Sequence, residues 1–284
     1  MLPAIWHVQF ILTLRFSLEF IEKLEQRIRH SSSHLCVGLD PDIDKIPDHL
    51  PKTIDGLLEF NRQIINATKD YVCAYKPNIA FFEVLGSDGW KLLEEILSFI
   101  PDDVITIADA KRGDIGNTAL QYAKTFFETF DFDAITVNPY MGLDTLEPFT
   151  SYRNKGTIVL VLTSNPGSKD FQQIDLHSEK LFERVARLVN ELHQRFHNCM
   201  LVVGATNGQL IKQIRDISPD IYFLVPGIGA QGGNLDEVIG FAGNKVVINS
   251  SRQIIFASTK EDFADIAAIE AKKLRDQINE KMGV

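Results

Sequence analysis

Two kinds of stretch alternate along this chain. Short runs nearly continuous in Val, Ile and Leu stand at 34–40, 72–77, 104–111, 134–139, 157–163, 200–204, 221–227 and 245–249. Between them, at 54–69, 90–99, 116–130, 178–196, 207–216, 234–241 and 260–282, apolar residues recur with helical spacing, as at Leu57, Leu58, Ile64 and Ile65. A run that is apolar at every position suits a strand covered on both faces, and the helical spacing puts one apolar stripe on a helix. Ser17, Thr53, Ser178 and Thr259 fall where a hydroxyl would cap a helix start, and a first helix is expected from about Ser17. Eight strands, each followed by a helix, predict a single α/β domain, a closed (β/α)8 (TIM) barrel. An open doubly wound sheet would favour a GxGxxG turn after its first strand, and the turn here reads GLDPDID.

The length of 284 residues suits one such barrel, and there is no linker, repeat or low-complexity tract to divide it. The apolar run 1–16 (MLPAIWHVQFILTLRF) is the exception. It has no basic n-region or small-residue cleavage site and is too short to span a bilayer, so it is expected to be an extension ahead of a barrel domain at 17–284. The balance of 29 Lys and Arg against 38 Asp and Glu gives a net charge of −9. That argues against nucleic acid as a partner, and no membrane span is expected. An anionic ligand must then be held by a local basic cluster. Cys36, Cys73 and Cys199 form no CxxC pair, which fits buried thiols in a reducing cytoplasm.

Active sites of such barrels lie at the C-terminal ends of the strands. There the first strand ends in Asp40, the second in Lys76 and the third in Asp109-Ala110-Lys111, with Asp114 three residues on. Asp109 and Lys111 are two apart and should share a side of their strand, and neighbouring strands are about 4.8 Å apart. Asp40, Lys76, Asp109 and Lys111 should therefore converge with alternating sign, which makes their burial tolerable. Such an array is either a reactive site or a salt-bridge network that closes the barrel. The seventh strand runs into Gly227-Ile228-Gly229-Ala230-Gln231-Gly232-Gly233, and the eighth ends in Asn249-Ser250-Ser251-Arg252. Glycine N–H groups and an arginine fork can hold a phosphate at this place, although a Gly-rich turn alone is equally an ordinary tight turn. His193 and His197 have metal-ligand spacing, but their helix is polar there and an exposed face accounts for them. No residue seen requires a metal or organic cofactor.

These motifs resemble the orotidine 5'-phosphate decarboxylase family, in its longer bacterial form. The family signature Asp-x-Lys-x-x-Asp is met by Asp109, Lys111 and Asp114, followed by Ile115-Gly116-Asn117-Thr118. The match continues at Gly38-Leu39-Asp40, Lys76-Pro77, Ser164-Asn165-Pro166-Gly167 and Pro226 to Gly233, and covers about Ser17 to the C-terminus. Related sugar-phosphate synthases, some dependent on Mg2+, share the Asp-x-Lys-x-x-Asp motif alone. The resemblance implies cofactor-free decarboxylation of orotidine 5'-phosphate (OMP) to UMP, the last step of de novo pyrimidine biosynthesis. It implies that Lys111 donates a proton to C6 of the pyrimidine, that Asp109 sits beside the scissile carboxylate, and that Lys76 and Asp40 complete the network and contact the ribose. It further implies that Asp114 and Thr118 reach the ribose in the neighbouring subunit of a homodimer and that Ser164 bonds the pyrimidine. The resemblance also implies that Gln231 and Arg252 grip the phosphate, with Gly232 and Ser251 in the surrounding loops. Ser251 is a departure, since much of the family has glycine there.

Overall fold

The computed structural model describes residues 18–205, 208–228 and 233–284. The extension 1–16 and the cap expected at Ser17 lie outside them. The chain runs α1 (Phe20–Ser31), β1 (Leu35–Leu39), α2 (Ile54–Thr68), β2 (Ala74–Pro77), α3 (Ala80–Glu83), α4 (Gly86–Leu97), β3 (Ile105–Arg112) and α5 (Gly116–Lys124). It continues through β4 (Ala134–Val137), α6 (Glu147–Thr150), β5 (Gly156–Leu162), α7 (Ser168–Phe171), α8 (Leu181–Phe196), β6 (Cys199–Val203) and α9 (Gly208–Ile217). The last elements are β7 (Tyr222–Pro226), α10 (Leu235–Ala242), β8 (Val246–Ser250), α11 (Arg252–Ile255) and α12 (Phe263–Met282). All eight strands are parallel and pair in chain order, and β8 returns to β1 through Cys36 and Asn249, so the barrel is closed. No helix among the described residues is long and apolar enough to cross a membrane.

Every strand lies within one or two residues of the run that predicts it, because both faces of each strand are covered and the apolar run is unbroken. The outward faces meet the helices in one large core that includes Phe60, Phe82, Phe126, Phe182 and Phe263. The inward faces form a second, smaller core. Cys36, Ala74, Ile107, Ala134, Ile158, Met200, Leu224 and Val247 pack there with Phe20 and Leu24 of α1. So α1 is no ordinary outer helix: it closes the N-terminal end of the barrel. Gly156 makes the room, since a Cβ there would stand 2.4 Å from the Phe20 ring. Polar ties fix the plug to the segments that enter the strands. Lys23 pairs with Asp133 at 2.5 Å, and Arg27 donates to the Val72 carbonyl and to Asp103.

Thr53 caps α2 as expected, its hydroxyl accepting from the Gly56 N–H. Ser178 and Thr259 do not cap helices. The chain before α8 is held as a turn by Asp175 and Lys180, and Glu183 then accepts from the Lys180 N–H at 2.7 Å. Ahead of α12, Ser258 ties the turn to Asp262, and the helix begins only at Phe263. Cys36, Cys73 and Cys199 are buried free thiols.

Candidate active site

The inward face of the barrel changes character towards the C-terminal ends of the strands. Ala74 and Ile107 face the apolar plug, and one step on along the same strands stand Lys76 and Asp109. Lys76 Nζ lies 2.5 Å from one carboxylate oxygen of Asp109, and Lys111 Nζ lies 2.5 Å from the other. Lys76 and Asp109 are almost fully buried, with side chains 7% and 11% exposed, while Lys111 is 51% exposed and so faces the mouth. Burial favours the neutral acid at Asp109, but the two ammonium groups overturn that and hold its pKa well below the usual carboxylate range. Burial likewise works against the Lys76 ammonium, and Asp109 with Asp40 outweighs it, so the pKa of Lys76 stands above its ordinary value. The charges of Asp109 and Lys76 are therefore both kept at neutral pH.

The meeting of Asp109 and Lys111 does not follow from simple strand alternation. β3 pairs with β4 through Ala108 and Ile135 and again through Arg112 and Val137, so residues 109–111 bulge opposite the single residue Thr136. Within that bulge Lys111 has φ +48°, a left-handed conformation that a side chain seldom adopts. Bulges of this kind re-aim a side chain, and this one turns the Lys111 ammonium back onto Asp109. The hydroxyl of Thr136 lies 2.9 Å from the Lys111 N–H and 3.2 Å from Asp109. Thr136 is a residue that the sequence reading passed over. The available signal was a lone hydroxyl at an inward position of an apolar strand, next to the charged one.

Asp40 joins the array differently from expectation. It makes no ion pair among the described residues. Instead its carboxylate accepts from the Ser251 hydroxyl at 2.7 Å, and its second oxygen is buried without a hydrogen-bond partner among the described residues. Gly38 allows this, because a Cβ there would lie 2.7 Å from Cβ of Ser251. The departure at Ser251 thus ties β8 to β1, and its hydroxyl faces Asp40. Arg252, the first residue of α11, is exposed and forms no ion pair among the described residues. Gln231 and Gly232 lie outside the described residues. Ser164 is half-buried just past the end of β5. The connection beyond it contains the short helix α7 and is anchored by Gln172, which accepts from the Thr163 N–H at 2.8 Å.

Asp114 and Thr118 form no hydrogen bond or ion pair with the array among the described residues. Asp114 accepts from the adjacent Ile115 N–H, and Thr118 lies exposed on the first turn of α5. His193 is held by the Cys199 N–H, its ring 6.0 Å from that of His197. A cleft of ≈ 900 Å³ opens at the opposite end of the barrel, beneath α1. Its Lys23, Arg27, Asp103 and Asp133 are paired with one another, so its size does not mark reactive chemistry.

Comparison with known proteins agrees with this geometry. Residues 33–276 match the family model for orotidine 5'-phosphate decarboxylase / HUMPS proteins. Orotidine 5'-phosphate decarboxylase of Flavobacterium johnsoniae is 48% identical over 265 residues, covering 91% of this chain and 97% of the relative. That of Phocaeicola vulgatus is 50% identical over 268 residues, covering 92% and 98%. The solved structure of Leishmania donovani OMP decarboxylase superposes with a TM-score of 0.84 at 36% identity, covering 94% of this chain and all of that one. With the charged array at the mouth of a closed eight-stranded barrel and relatives near half identity along nearly their whole length, the chain belongs to the orotidine 5'-phosphate decarboxylase / HUMPS family.

Proposed function

We propose that Lys111 carries the reaction of this enzyme by stabilising and then protonating C6 of the pyrimidine. The chain is an orotidine 5'-phosphate decarboxylase, a carboxy-lyase that turns OMP into UMP in pyrimidine biosynthesis. The bond from C6 to the carboxylate breaks, CO2 leaves, and its electron pair stays on C6. The ring offers that pair little resonance, so a fixed positive charge is the main help available. A proton then passes from Lys111 Nζ to C6, and the lysine is recharged from solvent. One observation supports this reading above the rest: an ammonium at the barrel mouth, clamped at 2.5 Å to a buried carboxylate that is itself held ionised by a second lysine. Asp109 would sit against the substrate carboxylate, and Lys76 with Asp40 would order the ribose.

In the same reading Arg252 and Gln231 hold the phosphate, with Gly232 and Ser251 beside them, and Ser164 bonds the pyrimidine. The guanidinium of Arg252, exposed and without an ion pair among the described residues, suits that role. Asp114 and Thr118 act in the site of a second copy in a homodimer. The exposure of Thr118, with Ile115 at 59%, Tyr140 at 81% and Met141 at 50%, supports a self-association surface there. Three buried free cysteines fit a cytoplasmic setting. The test is loss of the orotate absorbance when purified protein meets OMP in the presence of EDTA. Lys111→Ala should lower kcat by at least about 10⁴-fold with folding intact. Near-normal turnover by that variant would reject the role of Lys111. A requirement for Mg2+ without consumption of OMP would point to a sugar-phosphate reaction instead.

A further inference from the structure

The bulge in β3 creates a demand that the strands cannot meet. Pairing with β4 stops at Ala108 and resumes at Arg112, so the amide of Lys111 has no strand partner. The Thr136 hydroxyl supplies one, accepting the Lys111 N–H at 2.9 Å. The same hydroxyl has one proton to give and two neighbours to receive it, Asp109 at 3.2 Å and the Ala108 carbonyl at 3.5 Å. The nearer and charged acceptor, Asp109, is the stronger partner.

We propose that Thr136 is a positioning residue whose hydroxyl holds the left-handed backbone of Lys111 and the carboxylate of Asp109 in one piece, a role that rests on reading Lys111 as the proton donor. Lysine in left-handed backbone persists only where its surroundings over-determine it. Thr136 is 1% exposed, and its strand neighbours Ala134, Ile135 and Val137 are apolar. Valine would match its shape in that strand, so packing does not demand the hydroxyl, whereas the amide of Lys111 and the carboxylate of Asp109 do. Without it the Lys111 amide is left unsatisfied, the bulge relaxes, and the ammonium no longer points where the substrate ring must lie.

Thr136→Val keeps the shape and removes both hydrogen bonds, and Thr136→Ser keeps the bonds. The valine variant should lose about 100-fold in kcat with KM for OMP changed less than about threefold, and the serine variant should recover to within about fivefold of the parent. A general loss of fold would instead move KM, UMP binding and melting together. Amide exchange gives a reading that needs neither turnover nor a folded variant: the Lys111 N–H of the unmodified protein should exchange slowly. A fast-exchanging Lys111 amide, a valine variant within threefold of the parent kcat, or a serine variant as slow as valine would each overturn the proposal. If the unmodified protein leaves OMP untouched, the proton-donor reading fails, while exchange at Lys111 still decides whether Thr136 holds the bulge.

Discussion

At the N-terminal end of the barrel, Phe20 and Leu24 press on Cys36, Ile107, Ile158 and Met200, and the buried charges there, Arg27 and Asp133, only tie α1 to the segments that enter the strands. At the other end, a few ångströms along the same strands, Lys76 and Asp109 hold full charges in nearly as little water. The first end gains by removing apolar area from solvent, about 25 cal/mol per Å². The second loses solvation and recovers it through three mutually opposed charges, an arrangement that is close to neutral for stability at best. Sharing one set of strands, the two ends divide the labour: the plug keeps the barrel closed, and the mouth keeps charge pointed at a place the substrate will occupy. A change at one end should therefore be felt in one kind of measurement and barely in the other.

Phe20→Ala is the most severe way to break that division. The ring is fully buried against Gly156, which has no side chain to move into the gap. Its loss should lower stability by about 3–5 kcal/mol, read as a shifted urea midpoint. Turnover at 25 °C by the molecules that remain folded should be close to that of the parent. A large fall in kcat at unchanged stability would show that the plug and the mouth act as one unit.

Arg252→Ala probes a third region, the β8 end of the mouth. Where the Lys76–Asp109–Lys111 array is satisfied within the protein, Arg252 has no ion-pair partner among the described residues. A charge-assisted hydrogen bond is worth about 1.5–3 kcal/mol, so KM for OMP should rise by about 10- to 150-fold. Stability should be unchanged, since no ion pair among the described residues is broken. Decarboxylation of orotidine, which lacks the phosphate, should be indifferent to the substitution. Equal losses with orotidine and OMP would mean that Arg252 shapes the site instead of holding phosphate.

The strands were legible because burial on both faces writes itself as an unbroken apolar run, as at Ile158, Val159 and Leu160. The closing role of α1 was not. Phe20 and Leu24 have the spacing of any helix that covers a sheet, and only the match of Phe20 to Gly156, far along the chain, reveals where the helix sits. At the mouth, the residue types announced a charged array, but its wiring depended on contacts that sequence spacing does not express. A flat strand would place Asp109 and Lys111 side by side, and the bulge that joins them is marked by no glycine or proline. Asp40 was expected to converge with Lys76, Asp109 and Lys111, but its bond to Ser251 was not legible, because Gly38 opens a space between β1 and β8 that only the closed barrel brings into being.

The smallest expected effect is also the sharpest test of the claim that the mouth holds its charges at a cost in solvation. Asp109 is ionised in the folded protein to a pH well below the range of an ordinary Asp, because Lys76 and Lys111 outweigh its burial. In the unfolded chain it should titrate near about pH 3.9. Its contribution to stability is therefore complete above that value. As pH falls through it the unfolded state takes up the proton first, and the contribution drains away until the lower folded pKa is reached. Asp109→Asn removes this one titration and leaves every other carboxylate in place. The stability difference between parent and variant should be constant from pH 7 to pH 5. It should then shrink by roughly 1 kcal/mol between pH 4 and pH 3, where the slope for a single group approaches about 1.4 kcal/mol per pH unit. Melting curves that run parallel down to pH 3 would mean that Asp109 is not held ionised by its lysines, and the charged mouth would then be no different in kind from the apolar end.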